Sequence, residues 1–256
     1  MSLLSVDALG KSFGGVCAVD GVSFTLAAGE MLALIGPNGA GKSTTFNLIN
    51  GQLHADQGRI LLKGQNLVGL SPRAICHMGV GRTFQIAETF FSLSVIENVQ
   101  MALLAYTKNI FSFFKSAAAF QRSEAMTLLA QVGMEDQATR PVSDLSYGDV
   151  KRVELALALA TQPSLLLMDE PTAGMAPAER RDLMTLTRKL VAERRIAVLF
   201  TEHSMDVVFG YADRVIVLAQ GQLIAQGSPE EIRQDPKVQR VYFGSGATFK
   251  DFHAER

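Results

Sequence analysis

Gly36-Pro37-Asn38-Gly39-Ala40-Gly41-Lys42-Ser43-Thr44 is the stretch that decides the fold of this chain. It matches the phosphate-binding pattern G-x-x-x-x-G-K-S/T at every fixed position. The glycines let the backbone curl with its N–H groups pointing inward, because a β-carbon would obstruct that approach. We expect Lys42 to reach the β- and γ-phosphates of a nucleotide, and the Ser43 hydroxyl to ligate Mg²⁺.

The residues on either side of this stretch also fit a phosphate-binding loop. Met31–Ile35 is a short apolar run and predicts a buried strand. Apolar residues after Ser43 follow a helical spacing, and Gly51 is placed to end that helix. A helix start adds roughly half a positive charge and unpaired N–H donors. Strand, loop and helix together predict that residues 36–44 bind a nucleotide.

The composition bounds the class of protein. The chain has 256 residues, of which 48% are hydrophobic, so it can bury a large α/β core with a smaller subdomain. Its net charge of −1 argues against nucleic acid as a partner. The sequence contains no apolar run approaching the roughly 18 residues of a membrane span. Any action on a membrane is therefore expected to work through another subunit.

The order of patterns along the chain predicts a core that is interrupted once. Strands and helices occupy residues 1–88 and 161–256, which we assign to a nucleotide-binding α/β core. Residues 89–160 show few strand signals, and we assign them to an inserted helical subdomain. Ser94-Val95-Ile96-Glu97 and Ser228-Pro229-Glu230-Glu231 are capping boxes, each of which predicts a helix start.

Two carboxylates follow a second apolar strand. Residues 165–168 are Leu-Leu-Leu-Met, and Asp169 and Glu170 come directly after them. In proteins with a phosphate-binding loop, an acidic residue at such a strand end holds Mg²⁺, here Asp169. Glu170 is not needed for the metal, and its carboxylate can accept a proton from an attacking water. The alternative is that the two acids only cap a buried strand.

A further motif makes the chain resemble the nucleotide-binding subunit of an ATP-binding-cassette (ABC) transporter. Leu145-Ser146-Tyr147-Gly148-Asp149 is similar to the signature of that family, which is usually Leu-Ser-Gly-Gly-Gln. The stretch retains the Ser146 hydroxyl and the Gly148 N–H, the donors that the resemblance assigns to ATP. It departs from the signature at Tyr147 and at Asp149.

Asp149 is the more consequential departure, because it puts a carboxylate near a polyphosphate. Ser146-x-x-Asp149 is also a capping pattern, and an acid in the first turn suits the helix dipole. We expect Lys151 and Arg152 to offset the charge of Asp149. On this basis Asp149 should tune the contact with ATP rather than abolish it.

The resemblance covers essentially the whole chain and implies roles for three more residues. Phe13 stands where the family stacks an aromatic ring on adenine; a core phenylalanine is the alternative. Gln85 matches the glutamine that joins the core to the helical subdomain and can touch both Mg²⁺ and the attacking water. His203 stands where the family places a histidine on the γ-phosphate, the alternative being an ordinary surface histidine.

The resemblance also implies a fold and an assembly. The fold is α/β, a P-loop NTPase (RecA-like) core with an N-terminal antiparallel β subdomain and an inserted α-helical subdomain. Two ATPase subunits, identical or different, pair head to tail and bury two ATP molecules. Transmembrane permease subunits dock beside Gln85, and a periplasmic or extracellular solute-binding protein acts indirectly. Such a subunit is cytoplasmic and peripheral on the inner face of the plasma membrane.

Aromatic residues near Gln85 have two interpretations. Phe90, Phe91 and the phenylalanines within 111–120 can line the groove that receives the permease. They can equally form an ordinary subdomain core, and that interpretation is favoured for most of them because aromatic rings are largely buried.

Finer features resemble the branched-chain amino acid importer branch of the family. They are Arg82-Thr83-Phe84-Gln85, the insert at 109–120, the Leu-Ser-Tyr-Gly signature and the ending that starts at Gly227. Related importers for urea, amides or aromatic acids share these features. Two alternatives stay open: a soluble ABC ATPase that acts on ribosomes or DNA, and the ATPase of an ABC exporter.

Overall fold

The computed structural model describes residues 2–83, 89–106 and 121–243. Its N-terminal sheet consists of β1 (Ser2–Phe13), β2 (Val16–Ala27), β4 (Gln57–Leu62) and β5 (Gln65–Asn66). The order across this sheet is β2-β1-β4-β5, and every pair is antiparallel. The antiparallel sheet expected at the N-terminus is therefore confirmed. The pairing of β1 with β2 continues to Phe13 and Val16, next to the turn that joins the two strands.

A second sheet of six strands forms the centre of the molecule. Its strands are β3 (Met31–Ile35), β6 (Val80–Thr83), β7 (Leu165–Asp169), β8 (Ala197–Thr201), β9 (Arg214–Ala219) and β10 (Gln222–Gly227). Their order is β10-β9-β3-β8-β7-β6, and among them β10 alone runs antiparallel to its neighbour. β3 and β8 are buried along their whole length, as expected for apolar strands covered on both faces.

The described residues contain nine α-helices. They are α1 (Lys42–Ile49), α2 (Pro72–His77), α3 (Val95–Tyr106), α4 (Arg122–Gln131), α5 (Tyr147–Leu159), α6 (Pro177–Arg194), α7 (Met205–Tyr211), α8 (Pro229–Gln234) and α9 (Pro236–Phe243). Two short 3₁₀ turns, Glu135–Gln137 and Val142–Asp144, lie between α4 and α5. None of the described helices is long and apolar enough to cross a membrane.

Alternate side chains of the parallel strands enter two different cores. Leu32 and Leu34 of β3 pack with apolar residues of α1 and of the antiparallel sheet. Met31, Ala33 and Ile35 point the other way and pack with apolar residues of α3 to α9. Because successive side chains of a strand point to opposite faces, the parallel sheet lies between these two layers. This arrangement leaves the ends of the strands to form a site.

Both predicted capping boxes are present. The N–H of Ser94 donates to the Glu97 carboxylate at 2.8 Å before α3, and the N–H of Ser228 donates to the Glu231 carboxylate at 2.8 Å before α8. Each box satisfies N–H groups that a helix start leaves unpaired. These two helix starts were therefore correctly predicted from local sequence alone.

Helices dominate the described part of the expected insert, as its sequence indicated. α3, α4 and α5 lie within it, and their apolar faces join the core that covers one side of the parallel sheet. The division of the chain at residues 88 and 161 stays a prediction. Gln85 and the insert at 109–120 lie outside the described residues.

Candidate functional site

The phosphate-binding loop, the two carboxylates and the histidine expected from the sequence meet at one edge of the parallel sheet. β6 and β8 flank β7 in parallel, and β3 pairs in parallel with β8, so all four strands end at the same edge. The phosphate-binding loop follows β3, Asp169 and Glu170 lie at the end of β7, and His203 follows β8. The carboxyl ends of strands are where α/β sheets bind ligands.

The phosphate-binding loop is tight enough to require glycine. A β-carbon at Gly36 would lie 2.2 Å from the carbonyl oxygen of Leu218, and one at Gly41 would lie 2.4 Å from that of Ala18. Gly39 and Gly41 have φ angles of +79° and +102°, which side chains with a β-carbon rarely adopt. The structure therefore gives a steric reason for the glycines of the motif.

The first turn of α1 is suited to an anion. Gly41 precedes the helix without a capping side chain, and the turn contains no acidic residue. Ser43 is exposed in this turn, Thr44 is partly buried, and Thr45 donates its hydroxyl to the Gly41 carbonyl at 2.9 Å. Backbone N–H groups and the helix dipole favour negative charge at such a helix start. The geometry of residues 36–44 thus agrees with their predicted role.

The ammonium group of Lys42 lies inside the loop. Its Nζ donates to the carbonyl oxygens of Gly36 at 2.7 Å and Pro37 at 3.1 Å. Burial lowers the pKa of Lys42, whereas the nearby carboxylates of Glu170 and Asp169 act in the opposite direction. Phosphate oxygens are stronger acceptors for an ammonium group than carbonyl oxygens are. A polyphosphate entering the loop can therefore replace these carbonyls as the partner of Lys42.

Side chains from both neighbouring strands, β6 and β8, hold the Asp169 carboxylate in place. Its Oδ1 accepts a hydrogen bond from Thr201 Oγ1 at 2.7 Å, and its Oδ2 lies 3.3 Å from Nη2 of Arg82. Arg82 also donates to Asn47 of α1 at 2.8 Å. Sequence reasoning assigned no role to Arg82 or Thr201. The available signal was their position, since both are polar residues at the ends of strands that flank β7.

Glu170 and His203 are in direct contact. Glu170 Oε1 lies 2.8 Å from His203 Nε2, and the His203 side chain is 53% exposed. Glu170 has a φ angle of +49°, and its N–H donates to Thr201 Oγ1 at 3.0 Å. Strained backbone of this kind persists where the surroundings hold it, and it is frequent at functional sites. The structure therefore brings together the two side chains to which the sequence assigned chemical roles.

The signature stretch caps α5. The hydroxyl of Ser146 accepts the N–H of Asp149 at 3.2 Å, and α5 begins at Tyr147, as the capping pattern in the sequence indicates. The same hydroxyl donates to Oδ2 of Asp149 at 2.9 Å. Asp149 therefore engages the hydroxyl that was expected to contact ATP, which agrees with the capping pattern in the sequence.

The residues expected to offset the charge of Asp149 are directed elsewhere. Lys151 forms a buried ion pair with Glu154 at 3.0 Å. Arg152 donates to the carbonyl oxygen of Val132 at 3.4 Å. Lys151 is two residues after Asp149 and so lies on a different side of the helix. Arg152 is three residues after Asp149 and within reach of it, but its guanidinium bonds to the Val132 carbonyl instead.

The signature also touches two other segments of the chain. A β-carbon at Gly148 would lie 2.9 Å from Glu179 Oε1 of α6, and one at Gly174 would lie 3.6 Å from the Tyr147 ring. The start of α5 therefore contacts the loop that follows Glu170. We expect a displacement of the signature, residues 145–149, to displace the loop that follows Glu170 as well.

Phe13 lies at the end of β1, and its ring is 45% exposed, so it is not the core phenylalanine of the alternative interpretation. Lys11 Nζ lies 5.4 Å from the centroid of the ring. The hairpin that carries Phe13 reaches the phosphate-binding loop through Ala18, which lies against Gly41. An exposed ring at this place can stack on a flat group.

Gln85 lies outside the described residues. Its contacts with Mg²⁺ and with the attacking water therefore stay predictions.

The oxygen ligands at this edge of the parallel sheet fit a Mg²⁺ ion whose coordination is completed by a nucleotide. The Asp169 carboxylate and the exposed Ser43 hydroxyl are hard oxygen ligands of the kind that Mg²⁺ prefers. In the part of the chain that the structure describes, no group of three or more His, Cys, Asp or Glu residues could hold a metal ion. Mg²⁺ commonly takes one or two protein carboxylates and fills its other positions with water and phosphate.

The fold and the site define a P-loop ATPase. Residues 19–173 match the family described as ABC transporter, and the chain belongs to that family. Residues 222–248 match a second family, described as branched-chain amino acid ATP-binding cassette transporter. The chain is thus an ATP-binding and ATP-hydrolysing subunit of an ABC transporter, as the signature and the phosphate-binding loop indicated.

Named relatives cover nearly the whole chain. The high-affinity branched-chain amino acid transport ATP-binding protein LivG of Escherichia coli (strain K12) is 41% identical over 249 residues, which cover 94% of this chain and 98% of LivG. The corresponding protein BraF of Pseudomonas aeruginosa is 37% identical over 250 residues, which cover 94% of this chain and 98% of BraF. These relatives confirm the resemblance to the importer branch. They do not support the ribosome, DNA or exporter alternatives.

Solved structures confirm the fold. The ADP conformation of an ATP-binding cassette of an ABC transporter has a TM-score of 0.85 at 33% identity, covering 95% of this chain and 99% of that chain. A dimeric structure of a bacterial ABC transporter cassette has a TM-score of 0.74 at 25% identity, covering 88% of this chain and 98% of that chain. The α/β core with its antiparallel sheet is therefore the fold of this family.

Proposed function

We propose that this chain hydrolyses ATP to drive the import of branched-chain amino acids, or of a related small polar solute, through membrane permease subunits. The observation that carries the proposal is the 41% identity with LivG over 94% of this chain. The match at residues 222–248 adds support, because it lies outside the phosphate-binding loop and the signature. The solute is selected by the permease and by a solute-binding protein.

ATP binding is assigned to residues 36–44 and to Phe13. The loop N–H groups and Lys42 neutralise the phosphates, and Phe13 stacks on adenine. Mg²⁺, held by Ser43, Asp169 and Gln85, supplies charge neutralisation at the phosphates when it is bound. The hydrogen bond from Thr201 and the contact with Arg82 hold Asp169 in place for that role.

Hydrolysis is assigned to Glu170 and His203. Glu170 orients the attacking water and takes its proton, and His203 contacts the γ-phosphate as charge spreads over its oxygens. Nε2 of His203 lies against Glu170 in this structure, and one N–H cannot fully serve both the carboxylate and a phosphate. Binding of ATP therefore transfers Nε2 to the γ-phosphate and releases Glu170 towards water.

A second ATPase subunit completes the site in this proposal. Ser146 and Gly148 of one copy contact the ATP held by the loop of the other. The exposure of Ser146 supports this assignment, as does the dimeric structure of a related cassette. Asp149 adds negative charge beside that contact, so closure of the dimer is expected to be weaker than with glutamine at this position.

We place the docking surface for the permease at exposed apolar side chains before and within α3. Phe90 and Phe91 are 56% and 52% exposed, so these two rings fit the groove interpretation, and the phenylalanines within 111–120 lie outside the described residues. Met101 of α3 adds a third exposed apolar side chain. Exposed apolar side chains of this kind favour a protein partner. Docking there would hold the chain on the inner face of the plasma membrane.

Replacing both Phe90 and Phe91 with serine is expected to abolish capture of the permease, because the exposed rings supply the apolar anchor. ATP hydrolysis by the isolated subunit should remain close to the wild-type rate, since neither ring belongs to the nucleotide site. Co-purification without nucleotide measures capture. Val16→Ser is the matched control, because Val16 is 70% exposed but lies on the antiparallel sheet. Unchanged capture by the double variant would remove this surface from the interface.

Reconstitution tests the transport proposal. The subunit is assembled with the permease that co-purifies with it and with the solute-binding protein, in lipid vesicles. We expect leucine, isoleucine or valine, or a related polar solute, to stimulate ATP hydrolysis. The same solute should accumulate on the side of the membrane that carries the ATPase subunit. Co-purification with ribosomes or DNA in place of a permease would contradict the proposal.

A further inference from the structure

Glu202 is a buried carboxylate with no role in the scheme above. It directly precedes His203 and is 4% exposed. Its Oε1 accepts the N–H of Thr172 at 2.9 Å and the Thr172 hydroxyl at 2.6 Å. Its Oε2 accepts the N–H of His203 at 3.2 Å. None of the ion pairs found within residues 2–83, 89–106 and 121–243 involves Glu202.

These hydrogen bonds join the two loops that carry the hydrolysis residues. Thr172 lies two residues after Glu170, in the loop that follows β7, and Glu202 lies in the loop that follows β8. A buried carboxylate without a cation is costly unless donors satisfy it, and here three donors do so. Hydrogen bonds to an ionised carboxylate are short and directional. The relative position of the two loops is therefore held by Glu202.

The His203 ring has no comparable support from packing. Its side chain is 53% exposed, and the contact with Glu170 is the hydrogen bond that the structure shows for the ring. The direction of such an exposed ring depends on its backbone, and the Glu202 carboxylate is bonded to that backbone at the His203 N–H. Glu170 has its own constraint, because its N–H is bonded to Thr201. The distance between the Glu170 and His203 side chains therefore depends on the spacing of the two loops.

We propose that Thr172 and Glu202 form a clamp that fixes the spacing of the two loops, and with it both the resting distance between the Glu170 carboxylate and the His203 imidazole and the positions from which the two groups reach ATP. Glu202 is then a positioning residue for ATP hydrolysis. The inference rests on the proposed function, because Glu170 and His203 are the reacting groups of that scheme. The hydrogen bonds that the structure shows for the Thr172 hydroxyl and the Glu202 carboxylate stay between the two loops, and none of them runs to residues 36–44 or to residues 145–149. Loss of the clamp should therefore affect the hydrolysis step and leave ATP binding intact.

Kinetics of Thr172 variants test the clamp. Thr172→Val keeps the shape of the side chain and removes the hydroxyl donor to Glu202. Because misplaced catalytic groups cost up to about a hundredfold in rate, we expect kcat to fall by roughly tenfold to a hundredfold. KM for ATP should change by less than about twofold, as for an interaction that acts in the transition state. Thr172→Ser retains the hydroxyl and should restore kcat.

Thr187→Val is the matched control. Thr187 is 1% exposed, and its hydroxyl donates to the Leu183 carbonyl within α6 at 2.8 Å. The control removes a buried threonine hydrogen bond of similar length away from the site, so it reports general destabilisation. Wild-type kcat in Thr172→Val, or an equal fall of kcat in Thr187→Val, would overturn the clamp.

A spectroscopic measurement separates the clamp from the proposed function. The ¹⁵N signal of His203 Nε2, assigned by its loss in His203→Gln, reports the hydrogen bond to Glu170 without any turnover. We expect this signal to shift in Thr172→Val and to stay in place in Thr172→Ser and Thr187→Val. An unmoved signal in Thr172→Val would refute the clamp. If Glu170→Gln hydrolyses ATP at the wild-type rate, the assigned hydrolysis roles fail, and the signal still decides whether the clamp exists.

Discussion

Replacing Glu170 with glutamine should lower ATP turnover by roughly 10²- to 10⁴-fold, the range for loss of a positioned general base. Glutamine keeps the size of the side chain and can occupy the same position beside His203, whose Nε2 lies 2.8 Å from Glu170 Oε1. It cannot take a proton from water. The phosphate-binding loop is unchanged, so ATP affinity should be retained. ATP bound without hydrolysis should keep the dimer closed, because the γ-phosphate is not removed.

Phosphate release and size-exclusion chromatography with ATP measure these two effects. The variant should show slow phosphate release and a dimer peak that depends on ATP. Glu193→Gln is the matched control, since Glu193 lies on α6 with its side chain 56% exposed and pairs only weakly with Lys189. Wild-type phosphate release by Glu170→Gln would show that another group accepts the proton.

Replacing Lys42 with alanine should weaken ATP binding by about 2 to 5 kcal/mol, the cost of truncating one partner of a buried charge pair. That is roughly a 30-fold to several-thousand-fold rise in Kd. The cause is twofold. Lys42 supplies a positive charge for the phosphates, and its Nζ also bridges the carbonyls of Gly36 and Pro37 inside the loop. Alanine removes the charge and also the bond that holds the loop in shape before ATP arrives.

Titration with a fluorescent ATP analogue measures this loss directly. Lys189→Ala is the matched control, because the Lys189 side chain is 69% exposed on α6 and its nearest carboxylate oxygen is 3.9 Å away. Removal of such a surface charge should leave ATP affinity unchanged. Tight ATP binding by Lys42→Ala would reject the assignment of residues 36–44 as the phosphate site.

Local patterns in the sequence predicted the parts of the site that depend on local geometry. The phosphate-binding loop was predicted because its glycines are required by close backbone contacts and positive φ angles within one short stretch. The carboxylates Asp169 and Glu170 were found because an apolar run ends at them. Capping boxes at Ser94 and Ser228 were equally local. Each of these signals spans only a few residues along the chain.

Other parts depended on contacts between distant residues, and there the predictions were incomplete. Thr172 and Glu202 are far apart in sequence but share hydrogen bonds, because β7 and β8 are adjacent and parallel. The contact between Arg82 and Asp169 arises in the same way from β6 and β7. The sequence left open whether Phe91 lines a groove or lies in the core, and the structure shows it half-exposed, because burial depends on which elements cover a ring.

The sequence by itself determined that the chain is a nucleotide-binding α/β protein of the ABC transporter family, and it predicted a magnesium ligand at the end of an apolar strand. Those properties follow from glycine spacing, helix starts and apolar runs, which act within a few residues. Only the tertiary structure decided that Glu170 contacts His203, that Asp169 is held by Arg82, and that Glu202 is buried. The physical reason is that the register of the parallel strands sets these contacts. That register results from packing of the whole sheet and not from any single stretch of sequence.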